Sequence, residues 1–132
     1  GAGKAVSKVI PSLKGKLSAN AVRVPTPNVS LAILKLKINK KATKENLNKA
    51  IKEGALKGRL VNQINYQVDP ELVSSDIIGN SCCSVFDSQA TISSDNGENI
   101  VIYVWYDNEF GYTKQVIRLA KQIAKVRRLT YY

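Results

Sequence analysis

Few side chains in this sequence could do chemistry, and two of them are adjacent. Cys82 and Cys83 are the only thiols, and the chain contains no histidine. A thiol becomes a good nucleophile when a base or a nearby positive charge favours its thiolate form. Residues 69–113 contain no Lys or Arg, so nothing close in sequence lowers the pKa of either cysteine. We therefore predict structural or merely exposed thiols in a reducing compartment, and we assign no catalytic residue and no metal site.

Charge is distributed in blocks along the chain, whose net charge is +10. Residues 1–68 carry fourteen Lys and Arg against two Glu, whereas residues 69–113 carry eight acidic side chains. The C-terminal segment is basic again, from Lys114 onward. Such runs are usually solvated faces. The alternative is an anionic partner, which would be phosphate groups, nucleic acid or the acidic stretch of a neighbouring subunit.

Residues 100–106 predict the strand around which the chain is organised. Their side chains are apolar on both faces, which is typical of a strand covered on two sides. Asp107 and Asn108 follow as capping residues, and Glu109 places an acid in the first turn of a helix predicted over 109–125. A polar side chain at such a junction is held firmly and is exposed at its tip, so this junction suits ligand binding.

The remaining sequence predicts short alternating elements. In chain order we expect a helix over 2–10, strands over 17–24 and 30–38, a helix over 44–53 capped by Thr43 and stopped by Gly54, a strand over 60–68, an irregular segment over 69–83, strands over 84–86 and 90–93, and a hairpin turn over 95–97. This order predicts one α+β domain, with a mixed, largely antiparallel sheet and helices on one face. No apolar run reaches the roughly 20 residues of a membrane span, and no secretory pattern precedes the domain, so we expect a cytoplasmic protein.

Three stretches resemble a known family. WYDNEFGY at residues 105–112 is similar to the sequence near the C-terminus of phosphorylating glyceraldehyde-3-phosphate dehydrogenases. GAGKAV at 1–6, followed by KVIP at 8–11, and RVPTPNVS at 23–30 agree with the same family. The resemblance extends over essentially the whole chain, but it corresponds only to the last part of the enzyme. It implies that residues 1–132 are a C-terminal catalytic and oligomerisation domain fragment without the NAD-binding domain.

The resemblance also implies roles for four residues. Arg23 matches the substrate-phosphate arginine, and Gly1 matches the glycine of the inorganic-phosphate site. Asn108 matches the ligand of the nicotinamide carboxamide, and Tyr112 matches a tyrosine on the nicotinamide side. The catalytic Cys and His of the family correspond to no residue of this chain, since both lie upstream of Gly1.

The function implied by the resemblance is the substrate-binding and oligomerisation part of a glycolytic oxidoreductase. The resemblance implies that the whole enzyme is a homotetramer, which oxidises and phosphorylates glyceraldehyde 3-phosphate to 1,3-bisphosphoglycerate with NAD or NADP as cofactor. By itself the fragment is expected to be inactive and to carry no cofactor.

Two other hypotheses stay open at this point. One is a basic module that binds nucleic acid or another polyanion through Lys14, Lys16, Lys35, Lys37, Lys40 and Lys41. Against it, the chain lacks the aromatic-interleaved basic motif of an RNA-binding sheet, so we do not expect nucleic acid as a partner. The other is a domain that serves oligomerisation alone.

Overall fold

The computed structural model describes residues 2–126, and their side chains from residue 5 onward. Four α-helices and four strands follow one another in the order α1 (Ala2–Val9), β1 (Ser30–Lys37), α2 (Lys44–Leu56), β2 (Ile64–Gln67), α3 (Ser74–Ile77), β3 (Ser84–Ser93), β4 (Asn99–Tyr106) and α4 (Phe110–Ile123). Single 3-10 turns lie at Pro11–Leu13 and Gly58–Leu60.

The four strands form one sheet in the order β1-β4-β3-β2. β4 pairs antiparallel with β1 and with β3, whereas β2 and β3 are parallel. The sheet is therefore mixed and largely antiparallel, and the predicted α+β class is confirmed. β4 has a strand on each side, as expected for the segment whose side chains are apolar on both faces.

One face of the sheet packs against α2. Ala32, Val104, Phe86 and Tyr66 are in register across the four strands and share this face. The rings of Tyr66 and Phe86 lie 5.6 Å apart between centroids, and the ammonium of Lys52 in α2 lies 5.8 Å from the Tyr66 ring centroid. Phe86 is buried, so this contact forms part of the core.

The opposite face is only partly covered. Leu31, Trp105 and Val85 are in register there, and Val85 is fully buried. The part of this face that lies on β1 is uncovered, as the 57% exposure of Ile33 shows. The indole Nε1 of Trp105 is buried and has no acceptor within the described part of the chain. The homo-oligomer that the family resemblance implies stays a prediction.

The predicted strand over 17–24 is wrong. Residues 14–29 form an irregular, mostly exposed connection, and Arg23 lies within it rather than at the end of a strand. An alternating sequence becomes a strand only when a neighbouring strand satisfies its backbone groups. In this sheet β1 is an edge strand, and no segment among residues 2–126 pairs with its outer side.

Three smaller boundaries also differ. Gly54 does not stop α2, which continues to Leu56, although Thr43 caps it as predicted by accepting a hydrogen bond from Asn46 N at 3.2 Å. The two short strands over 84–86 and 90–93 are one strand, β3, whose register shifts between Asp87 and Ile92. β2 is shorter than expected, and the segment predicted as irregular contains one turn of helix, α3.

Helix α4 lies mostly in the open. Its apolar side chains are exposed, among them Val116, Leu119 and Ile123. The buried position of α4 is Gly111, close to its start. Within residues 2–126, no helix combines the length and the apolar composition needed to cross a bilayer.

Candidate functional site

The junction of β4 and α4 is built around the carboxylate of Asp107. Its Oδ1 accepts hydrogen bonds from the backbone N–H groups of Glu109 at 2.9 Å and Phe110 at 2.8 Å, so Asp107 closes the exposed N-terminal end of α4. Oδ2 accepts a third from Gly79 N at 2.8 Å, and Asn28 Nδ2 donates a fourth to Oδ1 at 2.9 Å.

These four donors keep the carboxylate ionised. The side chain is 2% exposed, and its pKa is lowered from 3.8 to about 2, first by the Gly79 N–H and then by Phe110, Asn28 and Glu109. Hydrogen bonds to the charged form of a carboxyl stabilise that form. Asp107 is therefore a poor general base near neutral pH, because its pKa is lowered and its oxygens already accept four hydrogen bonds.

Asn108 and Tyr112 line one cleft beside this carboxylate. The cleft measures about 290 Å³ and is bordered by Cys83, Tyr106, Asp107, Asn108, Tyr112 and Gln115. Asn108 is exposed, and its Oδ1 lies 3.4 Å from the Ser30 hydroxyl, which donates to it. Among the described residues no group accepts from Asn108 Nδ2, so the amide can still donate to a ligand. Tyr112 is 69% exposed and so does not belong to the core.

The dimensions of this cleft suit one ring better than a whole dinucleotide. Pockets for drug-sized ligands span roughly 300–1,000 Å³, and this one lies at the lower limit. A carboxamide carries one acceptor and two donors, and the Asn108 side chain offers the same groups. The residues present therefore fit the carboxamide-bearing ring of a nicotinamide cofactor.

Arg23 is not brought to this cleft. It is exposed in the connection between α1 and β1, and no carboxylate pairs with it among residues 2–126. Asn28 is five positions further along the chain, and five steps of extended chain span at most about 18 Å. The guanidinium is therefore tethered near the junction without lining the cleft. Gly1 lies outside the described residues.

Cys83 borders the cleft, Cys82 precedes it in the chain, and neither thiol has an activating partner among the described residues. The Cys83 thiol donates to the carbonyl of Gln63 at 3.4 Å. Burial raises the pKa of the Cys82 thiol, and the adjacent Cys83 adds to this effect. A protonated thiol is a poor nucleophile. Within the part of the chain that the structure describes, no three His, Cys, Asp or Glu side chains gather as a metal site.

A larger cleft of about 650 Å³ lies between the start of α2 and the β3–β4 turn. Lys41, Thr43, Lys44, Ser93 and Asp95 are among the residues that border it. None of Arg23, Asn108 and Tyr112 does so. This cleft therefore lies apart from these three residues, to which the family resemblance assigns roles.

Sequence reasoning missed the role of Asp107 beyond helix capping. The sequence gives no sign that Asn28 and Gly79, which lie 79 and 28 residues away, bind the same carboxylate. The available signal was a carboxylate placed directly after a strand that is apolar on both faces. A cap at the end of such a strand is buried with it, and a buried carboxylate requires several donors.

Comparison with known proteins identifies the family. A family model described as "Glyceraldehyde 3-phosphate dehydrogenase, C-terminal domain" matches residues 1–108. The chain is 47% identical over 125 residues to "Glyceraldehyde-3-phosphate dehydrogenase 1" of Bacillus subtilis, covering 95% of this chain and 36% of the relative. It is 49% identical over 127 residues to the glyceraldehyde-3-phosphate dehydrogenase of Colletotrichum lindemuthianum, covering 96% and 36%.

A third relative is shared over a smaller part of its length. The "Glyceraldehyde-3-phosphate dehydrogenase-like protein" of Pseudomonas aeruginosa is 48% identical over 126 residues, which are 96% of this chain and 27% of that protein. The chain thus spans about a quarter to a third of the length of these curated relatives. The named enzymes are oxidoreductases, and this family match favours the dehydrogenase hypothesis over a basic nucleic-acid-binding module. The chain belongs to the glyceraldehyde-3-phosphate dehydrogenase family and corresponds to its C-terminal domain.

Proposed function

We propose that this chain supplies the substrate-phosphate contact and the nicotinamide contact of a phosphorylating glyceraldehyde-3-phosphate dehydrogenase of the cytoplasm. In this role Arg23 binds the phosphate of glyceraldehyde 3-phosphate, and Gly1 contributes to the site of inorganic phosphate. Asn108 orients the nicotinamide of NAD or NADP, with Tyr112 on the same side. The nucleophile and the general base are contributed by sequence other than residues 1–132, which contain no His and in which burial raises the pKa of the Cys82 thiol.

The observation that carries the proposal is the exposed Asn108 amide at the β4–α4 junction. Asn108 follows a central strand and precedes a capped helix, and its neighbour Asp107 is buried and engaged by four donors. The backbone of a residue between such elements keeps its place without a ligand, which limits the ordering required on binding. Binding of the carboxamide to this amide would determine which face of the ring meets the substrate. The cofactor, when bound, supplies the hydride acceptor.

The phosphate contact rests on the chemistry of Arg23 and on its exposure. A guanidinium presents two parallel N–H donors that match two phosphate oxygens, and it remains charged at all relevant pH values. The side chain is exposed and is not paired with an acid among residues 2–126. It is therefore available to an anionic ligand without first breaking an ion pair.

Kinetics of the parent enzyme that contains this chain test the assignment of the two contacts. Asn108→Ala should raise the KM for the nicotinamide cofactor and leave the KM for glyceraldehyde 3-phosphate close to that of the unsubstituted enzyme. Arg23→Ala should have the opposite effect. Arg59→Ala serves as a control, because Arg59 is also exposed but lies in the 3-10 turn after α2. Equal effects of both substitutions on both KM values would contradict the proposal.

The isolated chain should have no dehydrogenase activity. Without a thiolate and a base, the covalent route to an acyl thioester is absent. The measurement is phosphate-dependent reduction of NAD by the purified 132-residue chain with glyceraldehyde 3-phosphate. Any rate above a protein-free blank that survives repurification would show that residues 1–132 carry their own nucleophile.

A further inference from the structure

Asp107 connects three segments of the chain at one point. Asn28 precedes β1, Gly79 follows α3, and Glu109 with Phe110 begin α4. All of them donate to the same carboxylate at 2.8–2.9 Å. Since the group is buried, its oxygens must be satisfied by these donors rather than by solvent. The relative placement of the three segments therefore depends on one side chain.

The Asn28 side chain holds an unusual backbone conformation in place. Val29 has a φ of +77°, which is rare for any residue with a β carbon and a strong outlier for a β-branched one. The Asn28 side chain accepts a hydrogen bond from Val29 N at 2.7 Å and donates to Asp107. Strain of this kind persists only where surrounding contacts determine it. Here those contacts lead to Asp107.

The segment of residues 28–30 also reaches the side-chain amide of Asn108. Ser30 follows Val29, begins β1 and donates its hydroxyl to Asn108 Oδ1 at 3.4 Å. Asp107, Asn28, Val29, Ser30 and Asn108 therefore form a closed ring of covalent and hydrogen-bonded neighbours. A change at Asp107 reaches Asn108 from two directions, through the peptide bond and through the β1 segment.

The contacts of Asp107 with Glu109 N and Phe110 N hold the start of α4 against residues 82–83. A β carbon placed on Gly111 would lie 3.1 Å from the carbonyl oxygen of Cys82, so the helix backbone approaches this segment closely. Asp107 determines the direction of this first turn by accepting from Glu109 N and Phe110 N. Tyr112, which follows Gly111 in α4, borders the same cleft as Asn108.

We infer that Asp107 is a positioning residue, which aims the Asn108 amide into the cleft through Asn28 and Ser30. This inference deepens the proposed function, on which the identity of the ligand rests. The positioning itself can be measured without any ligand. Asp107 touches no ligand in this role and transfers no proton.

The first test uses the full 132-residue chain and nuclear magnetic resonance of the Asn108 side-chain N–H₂ group. In the unsubstituted chain we expect one sharp, dispersed pair of signals. Asp107→Asn turns a donor towards Gly79 N or towards the α4 amides, so the Asn108 pair should broaden or move towards the values of a free amide. Asn28→Ala should do the same while leaving the α4 cap intact, which keeps the test valid if Asp107→Asn does not fold.

Asp87→Asn is the matched control for this measurement. Asp87 also accepts from two backbone N–H groups, those of Gln89 and Ala90, at 3.2 and 3.1 Å, but it lies in β3 and not in the ring. This control should leave the Asn108 signals unchanged. If the Asn108 pair is equally sharp and unmoved in folded Asp107→Asn and Asn28→Ala chains, the inference is overturned.

The second test uses the parent enzyme and separates positioning from stability. Asn28→Ala should raise the KM for the nicotinamide cofactor by about tenfold, the factor that corresponds to the loss of roughly one hydrogen bond to the carboxamide. The KM for glyceraldehyde 3-phosphate should change less than twofold. If both KM values rise together, Asn28 acts only on the fold. If the resonance test succeeds while the cofactor KM is unchanged, Asp107 positions Asn108 but the proposed nicotinamide role fails.

Discussion

At the scale of single residues, Asp107 and Arg23 show two different uses of charge. Asp107 is buried and its donors lie within the protein, so it contributes to stability and geometry. Arg23 is exposed and unpaired in the described chain, so its guanidinium is available to a ligand. Replacing either residue should therefore have a different effect, on substrate binding for Arg23 and on stability for Asp107.

Replacement of Arg23 should weaken substrate binding without affecting folding. A charge-assisted contact to phosphate contributes about 1.5–3 kcal/mol, so Arg23→Ala in the parent enzyme should raise the KM for glyceraldehyde 3-phosphate roughly 10- to 150-fold. Arg23→Lys should recover part of this loss, because it keeps the charge but not the two-pronged geometry. Circular dichroism should show unchanged folding. An unchanged KM would remove Arg23 from the phosphate site.

Asp107 should make the stability of the chain dependent on acid pH. Its folded pKa of about 2 lies below the ordinary value of 3.8, so its contribution is complete above about pH 5. That contribution, about 2 kcal/mol for this shift, is lost as pH falls from about 4 to 2. Asp107→Asn should therefore lower the free energy of unfolding at pH 7 and have progressively less effect towards pH 2, in denaturant titrations at each pH.

The control for this titration is Asp95→Asn. Asp95 is exposed in the β3–β4 turn and accepts no hydrogen bond among the described residues. Its replacement should change the free energy of unfolding by less than about 0.5 kcal/mol at pH 7. If Asp107→Asn destabilises the chain equally at pH 7 and pH 2, the ionised carboxylate is not the source of the effect.

At the scale of elements, local chemistry was predictable and pairing was not. β4 follows from its apolar alternation, and Thr43 caps α2 because its hydroxyl can accept from an N–H of the first turn. The segment 17–24 has a strand-like alternation but remains irregular, because strand formation depends on a partner that its own residues do not specify. Val29 shows the same limit, since its positive φ is held by Asn28 and Asp107 rather than by its own preference.

The candidate site was also predictable only in part. Asn108 and Tyr112 border one cleft, and the residues after a doubly apolar strand were a good place to expect it. Arg23 lies apart from that cleft in the described chain. The contribution of Asn28 and Gly79 depends on the tertiary fold, which brings distant donors to Asp107.

Two helical glycines provide an internal comparison at this scale. Gly54 lies inside α2, where a β carbon would meet Leu60 Cδ1 at an ordinary 3.7 Å, so Gly54→Ala should stabilise the chain by up to about 1 kcal/mol. Gly111 in α4 has the Cys82 carbonyl oxygen at 3.1 Å from that position. Gly111→Ala should destabilise by about 1–3 kcal/mol, because backbone must shift to admit it. Thermal or denaturant unfolding of both variants checks the opposite signs, and stabilisation by Gly111→Ala would contradict the close packing described here.

At the scale of the whole molecule, the partly bare face of the sheet predicts association. Ile33 is 57% exposed on the same face as Trp105, whose indole N–H is buried without an acceptor in the described chain. Exposed apolar surface of this kind commonly marks an interface. We expect the face to pack against a second copy, and sedimentation of the chain should show a dimer or larger species at micromolar concentration.

Substitution should locate this interface. Ile33→Glu places a charge on the sheet face and should weaken self-association at least tenfold. Val22→Glu is the control, because Val22 is also exposed but lies in the connection between α1 and β1. It should leave association unchanged. A monomer in which Trp105 fluorescence is fully protected from a soluble quencher such as iodide would show instead that one chain covers both faces by itself.

If this chain orients a nicotinamide ring through Asn108, a crystal structure of the parent enzyme with NAD or NADP bound will show the contact. Our account predicts the Asn108 side-chain amide within about 2.7–3.2 Å of the carboxamide, which is the range of a hydrogen bond. Asp107 should retain its contacts with Asn28 and Gly79. A carboxamide bound elsewhere, with the Asn108 amide directed to solvent or engaged only as a helix cap, would contradict the claim.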